Sequence, residues 1–398
     1  MTSRADVTAD CLKLTTYFGE RQRSGHAYVA DALLDMYGTH EIATSVLLRG
    51  TEGFGLKHRL RTDRSLSLSD DLPLVAVAVD ARPRIEAILG DAVRLTRTGL
   101  VTLERARMLT GDISAAVLPS LPDDLREATK LTIYLGRQER VYRVPAYIAA
   151  CDLLHRRGVA GATALLGVDG TAHGLRQRAT FFGRNEQTPM MVISVGAGEQ
   201  ISRVLPELGA LLRSPLLTLE RITICKRDGE RLATPSALPG ADENGMKLWH
   251  KLMVYTSEAA LHDGQPIHRA IIRRLRSAGI SGATTVRGIW GFHGDHAPHG
   301  DRLLQLGRHV PAVTIVIDTP ERIRAAFTVV DELTSERGLV TSETIPAMRA
   351  STGLTHAARP GAVPGEPRGA TRRSGRHRDD HSSALPPEST HRHHLPKT

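Results

Sequence analysis

KLTTYFGE at 13–20, KLTIYLGR at 130–137 and KLMVYTSE at 251–258 share one layout, and their recurrence decides the fold. Counting on from the tyrosine of each (Tyr17, Tyr134, Tyr255), a Gly-rich segment begins 33 residues later every time, at Gly50, Gly167 and Gly288. A second glycine follows three residues on, at Gly53, Gly170 and Gly291. Next comes a proline-led apolar run: LPLVAVAV from Leu72, TPMMVISV from Thr188 and VPAVTIVI from Val310. Each copy closes on GLVTLE (99–104), PLLTLE (215–220) or GLVTSE (338–343). Four landmarks held in register three times are one unit repeated.

Local pattern supplies the elements of that unit. KLTIYLG is β-branched and aromatic, as a strand requires. Val29, Ala32, Leu33 and Met36 fall at helical spacing, and so do Ile267, Ala270, Ile271 and Leu275. ATSVLLRG, ATALLG and ATTVRG read as second strands, and the proline-led runs as third strands. Residues 81–99 and 319–338 read as second helices, each closed by a glycine suited to a left-handed cap. The order β-α-β-β-α-β predicts an α+β chain of three tandem ferredoxin-like units. One such unit leaves an apolar sheet face bare, and three units around a common axis would cover one another's. The expected division is repeat 1 at 11–110, a linker at 111–129, repeat 2 at 130–227, a linker at 228–246 and repeat 3 at 247–349. From residue 350 the chain reads as a disordered basic, His-rich tail. Residues 351–398 hold no Phe, Trp or Tyr and carry eight Lys/Arg against four Asp/Glu.

Composition narrows the function. The chain has 398 residues, 24% of them charged, a net charge of +9 and three well-separated cysteines, Cys11, Cys151 and Cys225. That pattern excludes a disulfide framework or a zinc knuckle and places the protein in the cytoplasm. Aromatic residues make up only 4%, too few for stacking on single-stranded nucleic acid. No nucleophile–histidine arrangement recurs in register, so no catalysis is expected.

The Gly-rich segment carries most of the binding signal. It reads Arg49-Gly-Thr-Glu-Gly-Phe-Gly55 in copy one and Arg287-Gly-Ile-Trp-Gly-Phe-His293 in copy three, but Leu166-Gly-Val-Asp-Gly-Thr-Ala172 in copy two. Read as a turn, its glycines let backbone N–H groups converge on an anion, with arginine beside them. Basic residues follow in every copy: Lys57, Arg59, Arg61 and Arg64; Arg176, Arg178 and Arg184; Arg302 and Arg308. The alternative reading is a tight turn or bulge with solvated charges beyond it. The expected ligand residues are Arg49, Gly50, Gly53, Gly55, Lys57, Arg59, Arg287, Gly288 and Gly291. A second cluster, His293, Asp295, His296 and His299, has ligand types suited to a divalent metal.

RGTEGFG and RGIWGFHG, each followed by a polar loop and then DLPLVAVAVD or VPAVTIVID, resemble the PII-like signalling superfamily. The closer likeness is to its uncharacterised branch, domain of unknown function one hundred and ninety, in three copies. The resemblance implies a single-chain pseudo-trimer with a small anion or nucleotide held in clefts between repeats. It also implies a regulated protein partner, of which a fluoride-channel-type membrane transporter is one candidate. Lysines used on ATP phosphates in PII proteins are replaced here by Leu74 and Ala76, so the ligand implied is not bound in the PII manner. A metal-binding protein and a ligand-free scaffold are the rival readings.

Overall fold

The computed structural model describes residues 8–63, 71–111, 113, 127–172, 175–176, 188–212, 215–236, 247–293, 298–300 and 310–350. All of them belong to the unit Met1–Gly353. The architecture is mixed α+β with three repeated units. Repeat 1 contains β1 (Thr8–Gly19), α1 (Val29–Thr39), β2 (Thr44–Phe54), β3 (Pro73–Ala81), α2 (Arg82–Thr96) and β4 (Gly99–Leu109). Repeat 2 contains β5 (Glu127–Gly136), α3 (Ala146–Arg156), β6 (Gly161–Leu166) with its continuation β7 (Asp169–Ala172), β8 (Pro189–Ala197), α4 (Gly198–Leu211) and β9 (Leu216–Arg227). Repeat 3 contains β10 (Leu248–Ser257), α5 (Ile267–Ser277), β11 (Ala283–His293), β12 (Pro311–Asp318), α6 (Pro320–Leu333) and β13 (Leu339–Ala350). No described helix is long and apolar enough to cross a membrane.

Within repeat 1 the pairing order is β4-β1-β3-β2, all antiparallel, and the other repeats follow it. Equivalent strands also pair across repeats: β2 with β11 and β7, β6 with β11, and β4, β9 and β13 with one another. These pairs are antiparallel too. Through these pairs the strands of all three repeats join one continuous sheet.

The proline-led strands are apolar throughout because both faces are covered. Val75, Val77 and Val79 enter a central core with Met191, Ile193 and Val195 and with Val313, Ile315 and Ile317. Leu74, Ala76 and Ala78 turn the other way, onto α1 and α2. Repeats 2 and 3 have matching outer cores under their own helices. Leu34, Cys151 and Ile272 occupy one equivalent, fully buried helix position. The three sheet faces thus cover each other.

Three local readings need correction. The Gly-rich segment is no turn. Gly50 and Gly53 lie inside β2, and Gly288 and Gly291 inside β11, where each strand passes onto the next repeat through a register shift. The glycines permit that approach: a Cβ on Gly170 would stand 2.1 Å from the Ser45 carbonyl oxygen. Gly291 also has φ of +155°, with the Ala162 carbonyl oxygen 2.2 Å from any added Cβ. We expect Gly170→Val to cost about 1–3 kcal/mol in urea unfolding, through overpacking against backbone that cannot give way. Second, α2 stops at Thr96, and the residue with positive φ is Arg97 at +52°, while Gly99 already belongs to β4. Third, Glu230–Arg231 within the second linker stretch pairs back on β9, and the Ser236 carbonyl accepts from His250 at 2.8 Å.

Candidate functional site

Strands β1, β5 and β10 each bury a lysine at the same position: Lys13, Lys130 and Lys251. Directly across the strand pair stand Glu104, Glu220 and Glu343. The six side chains close a ring. Lys13 reaches Glu104 at 2.8 Å and Glu220 at 2.6 Å; Lys130 reaches Glu220 at 2.8 Å and Glu343 at 2.7 Å; Lys251 reaches Glu343 at 3.0 Å and Glu104 at 3.1 Å. Each lysine bonds the glutamate of its own repeat and that of one neighbour, always in the same sense. All six side chains are at most 6% exposed. Thr15 and Thr102 hydroxyls add donors to Glu104 at 3.3 and 3.1 Å.

Burial alone would push charge off these groups, and the ring holds it on. Lys13 is desolvated, yet Glu104 and Glu220 keep its ammonium well above the ordinary lysine range. Lys251 is raised against the same burial by Glu104 and Glu343. Glu104 and Glu343 are held below the usual carboxylate range, their burial being outweighed by the surrounding lysines. The three carboxylates converge within 4.8 Å, as metal ligands would. Every one of them is already matched by two ammonium groups, so a dication would have to displace lysine. We read the ring as an ion-pair lock. A cavity of about 400 Å³ leads to it, with Arg105, Arg221, Leu248 and Pro346 on its walls.

The second set of features lies at the three seams, where the end of one repeat's second strand enters its neighbour. Phe54 of β2 is buried in the outer core of repeat 3, and Phe292 of β11 in that of repeat 2. Phe292 meets His155 edge-on at 4.9 Å. Repeat 2 presents Thr171 instead, whose hydroxyl donates to the Ile42 carbonyl of repeat 1 at 3.3 Å.

The residues expected to hold an anion are distributed over these seams. Arg49 is paired with Glu20 at 3.0 Å, and Arg287 with Glu258 at 2.6 Å and Asp63 of repeat 1 at 3.6 Å. In repeat 2 both partners change together, to Leu166 and Arg137. Gly50, Gly53, Gly288 and Gly291 serve strand contact, as described above. Gly55, Lys57 and Arg59 follow β2 on the exposed surface of the 1–3 seam, beside His58, which stacks on Phe54 at 5.9 Å. Arg61 pairs with Asp71 at 2.8 Å. Arg176 is bound to Asp31 at 2.8 Å, Asp169 at 2.7 Å and also Asp35. His293 ends β11 and is buried against repeat 2, and His299 lies on a short strand paired with Gly291. Asp295, His296, Arg64, Arg178, Arg184, Arg302 and Arg308 lie outside the described residues.

The ring escaped the sequence reading although its members were in the repeat landmarks: every copy begins on lysine and closes on glutamate. A charge kept at the same strand position in three copies, on a face that must be buried, was the available signal.

The family model DUF190, described as Uncharacterized ACR, matches residues 11–108, 128–224 and 249–347. The UPF0166 protein of Aquifex aeolicus (strain VF5) is 30% identical over 95 residues, which is 24% of this chain and 88% of that protein. That protein has the length of one repeat.

Proposed function

The chain belongs to the DUF190 family in three tandem copies, and from that premise we propose a non-catalytic regulator of the PII-like kind. Its three ferredoxin-like units form an intramolecular pseudo-trimer. A small anion, a phosphate or a nucleotide, occupies the seam between repeats 1 and 3 and alters the loop beyond β2 that meets a partner protein. The strand order β4-β1-β3-β2 supports the ferredoxin-like reading. One observation carries the choice of seam: cations from two repeats gather there. Arg269 and Arg287 of repeat 3 approach Glu52 and Asp63 of repeat 1 at 4.0 and 3.6 Å, with Lys57 and Arg59 exposed alongside. The 1–2 seam, by contrast, surrounds Arg176 with three carboxylates, and the 2–3 seam is filled by Trp290 and Phe292. In this reading the thiols take no catalytic part: burial pushes Cys11 and Cys225 up to about 12, which keeps both protonated at neutral pH.

Calorimetry with inorganic phosphate, adenine nucleotides and cyclic dinucleotides tests this. We expect one of them to bind and the Lys57→Ala/Arg59→Ala variant to lose about tenfold in affinity, the equivalent of roughly 1.4 kcal/mol. Absence of binding by all of them, or unchanged binding in the variant, refutes the reading.

A further inference from the structure

The three seams are built on the same backbone but not from the same chemistry. Two positions differ in concert. On the first helix of each repeat, Asp31, Ile148 and Arg269 are equivalent; on the second strand, Glu52, Asp169 and Trp290 are equivalent. At each seam the strand position of one repeat faces the first helix of the next.

We infer that these two positions form a key that fixes which repeat sits beside which. Where repeat 1 meets repeat 3, Glu52 lies 4.0 Å from Arg269, with both side chains mostly buried. Where repeat 2 meets repeat 1, Asp169 faces the acidic helix α1, and Arg176 stands between them, bound to Asp169, Asp31 and Asp35. Where repeat 3 meets repeat 2, β11 packs on α3, and Trp290 joins the apolar cluster that contains Tyr147. The pairings are therefore acid with base, acid with acid bridged by arginine, and tryptophan with the uncharged helix face on which Ile148 follows Tyr147.

Every self-pairing breaks this scheme. Repeat 1 beside a copy of itself would set Glu52 against Asp31. Repeat 2 would bring the Asp169–Arg176 pair against Ile148, desolvating charge on an apolar residue. Repeat 3 would set Trp290 against Arg269 and leave the arginine without its carboxylate. The ring of lysine and glutamate is identical in all three repeats and cannot supply such discrimination. The ring holds any three units together; the seams reject the wrong three. The arrangements so excluded are those that set two copies of the same repeat side by side, as three copies of any one repeat around the ring would. No ligand enters this inference, so it stands or falls separately from the anion site.

The test is made in the full-length chain by thermal unfolding and native mass spectrometry of Glu52→Leu, Arg269→Leu and the double variant. The double variant copies the apolar seam into the 1–3 position. Each single change should lower Tm by several degrees, and the pair should recover at least half of the combined loss and remain monomeric. A second set, Trp290→Glu, Ile148→Arg and both together, moves the acid–base pair into the 2–3 seam and should show the same recovery. If the double variants lose the sum of the single losses in both sets, or if the singles are indistinguishable from the parent, the key does not exist.

Discussion

Replacing Lys130 by methionine is expected to lower the unfolding free energy by about 3–5 kcal/mol, the usual cost of stripping one partner from a buried ion pair. Lys130 is 1% exposed and serves both Glu220 and Glu343. Without it two carboxylates from different repeats face each other in the core with one lysine apiece. Replacing all six ring residues by Met and Leu should cost far less, or nothing, because no charge is then left to desolvate. Urea unfolding of the two variants separates a broken ring from an absent one. The ring also sets the pH range. Glu104 and Glu343 are depressed, so their stabilisation is complete above about pH 4.3 and drains away as pH falls through their lowered values. Lys13 and Lys251 are raised, so theirs is complete below about pH 10.4 and is lost as pH climbs through the raised values. The ring's own contribution should be flat between roughly pH 5 and 10 in the parent. The variant without the ring should lack both of these limbs.

The second large effect belongs to the strand ends. Phe292→Ala and Phe54→Ala should each cost about 3–5 kcal/mol, because each ring fills the outer core of a neighbouring repeat and its loss leaves a cavity. Thr171→Ala, at the equivalent position of repeat 2, should cost only about 1 kcal/mol, the net worth of a hydrogen bond. If strand exchange did not join the repeats, the Phe changes would unfold one repeat alone and give two separate transitions. Coincident circular dichroism and fluorescence transitions are the expected outcome.

Much of this fold was legible in the repeat. KLTIYLG, the helical spacing from Val29 to Met36 and the proline-led runs became strands and helices where expected, since their periodicity reflects burial within one unit. What was missed depends on a second unit. The glycines at 50 and 53 read as a turn because the strand they face, β11, is more than 200 residues away. Arg49 read as an anion anchor because its carboxylate, Glu20, lies on another element. Lys13 and Glu104 read as ordinary landmarks, for nothing local says that a charged strand residue reaches into a neighbouring repeat.

Closure of three repeats around one ring is tested most directly by a double-mutant cycle between repeats. Lys130→Met in repeat 2 and Glu343→Leu in repeat 3 should be coupled by more than about 1 kcal/mol, the double variant being less damaged than the two single losses predict. Losses that add to within about 0.5 kcal/mol would mean that the two groups do not meet, and the ring would have to be abandoned.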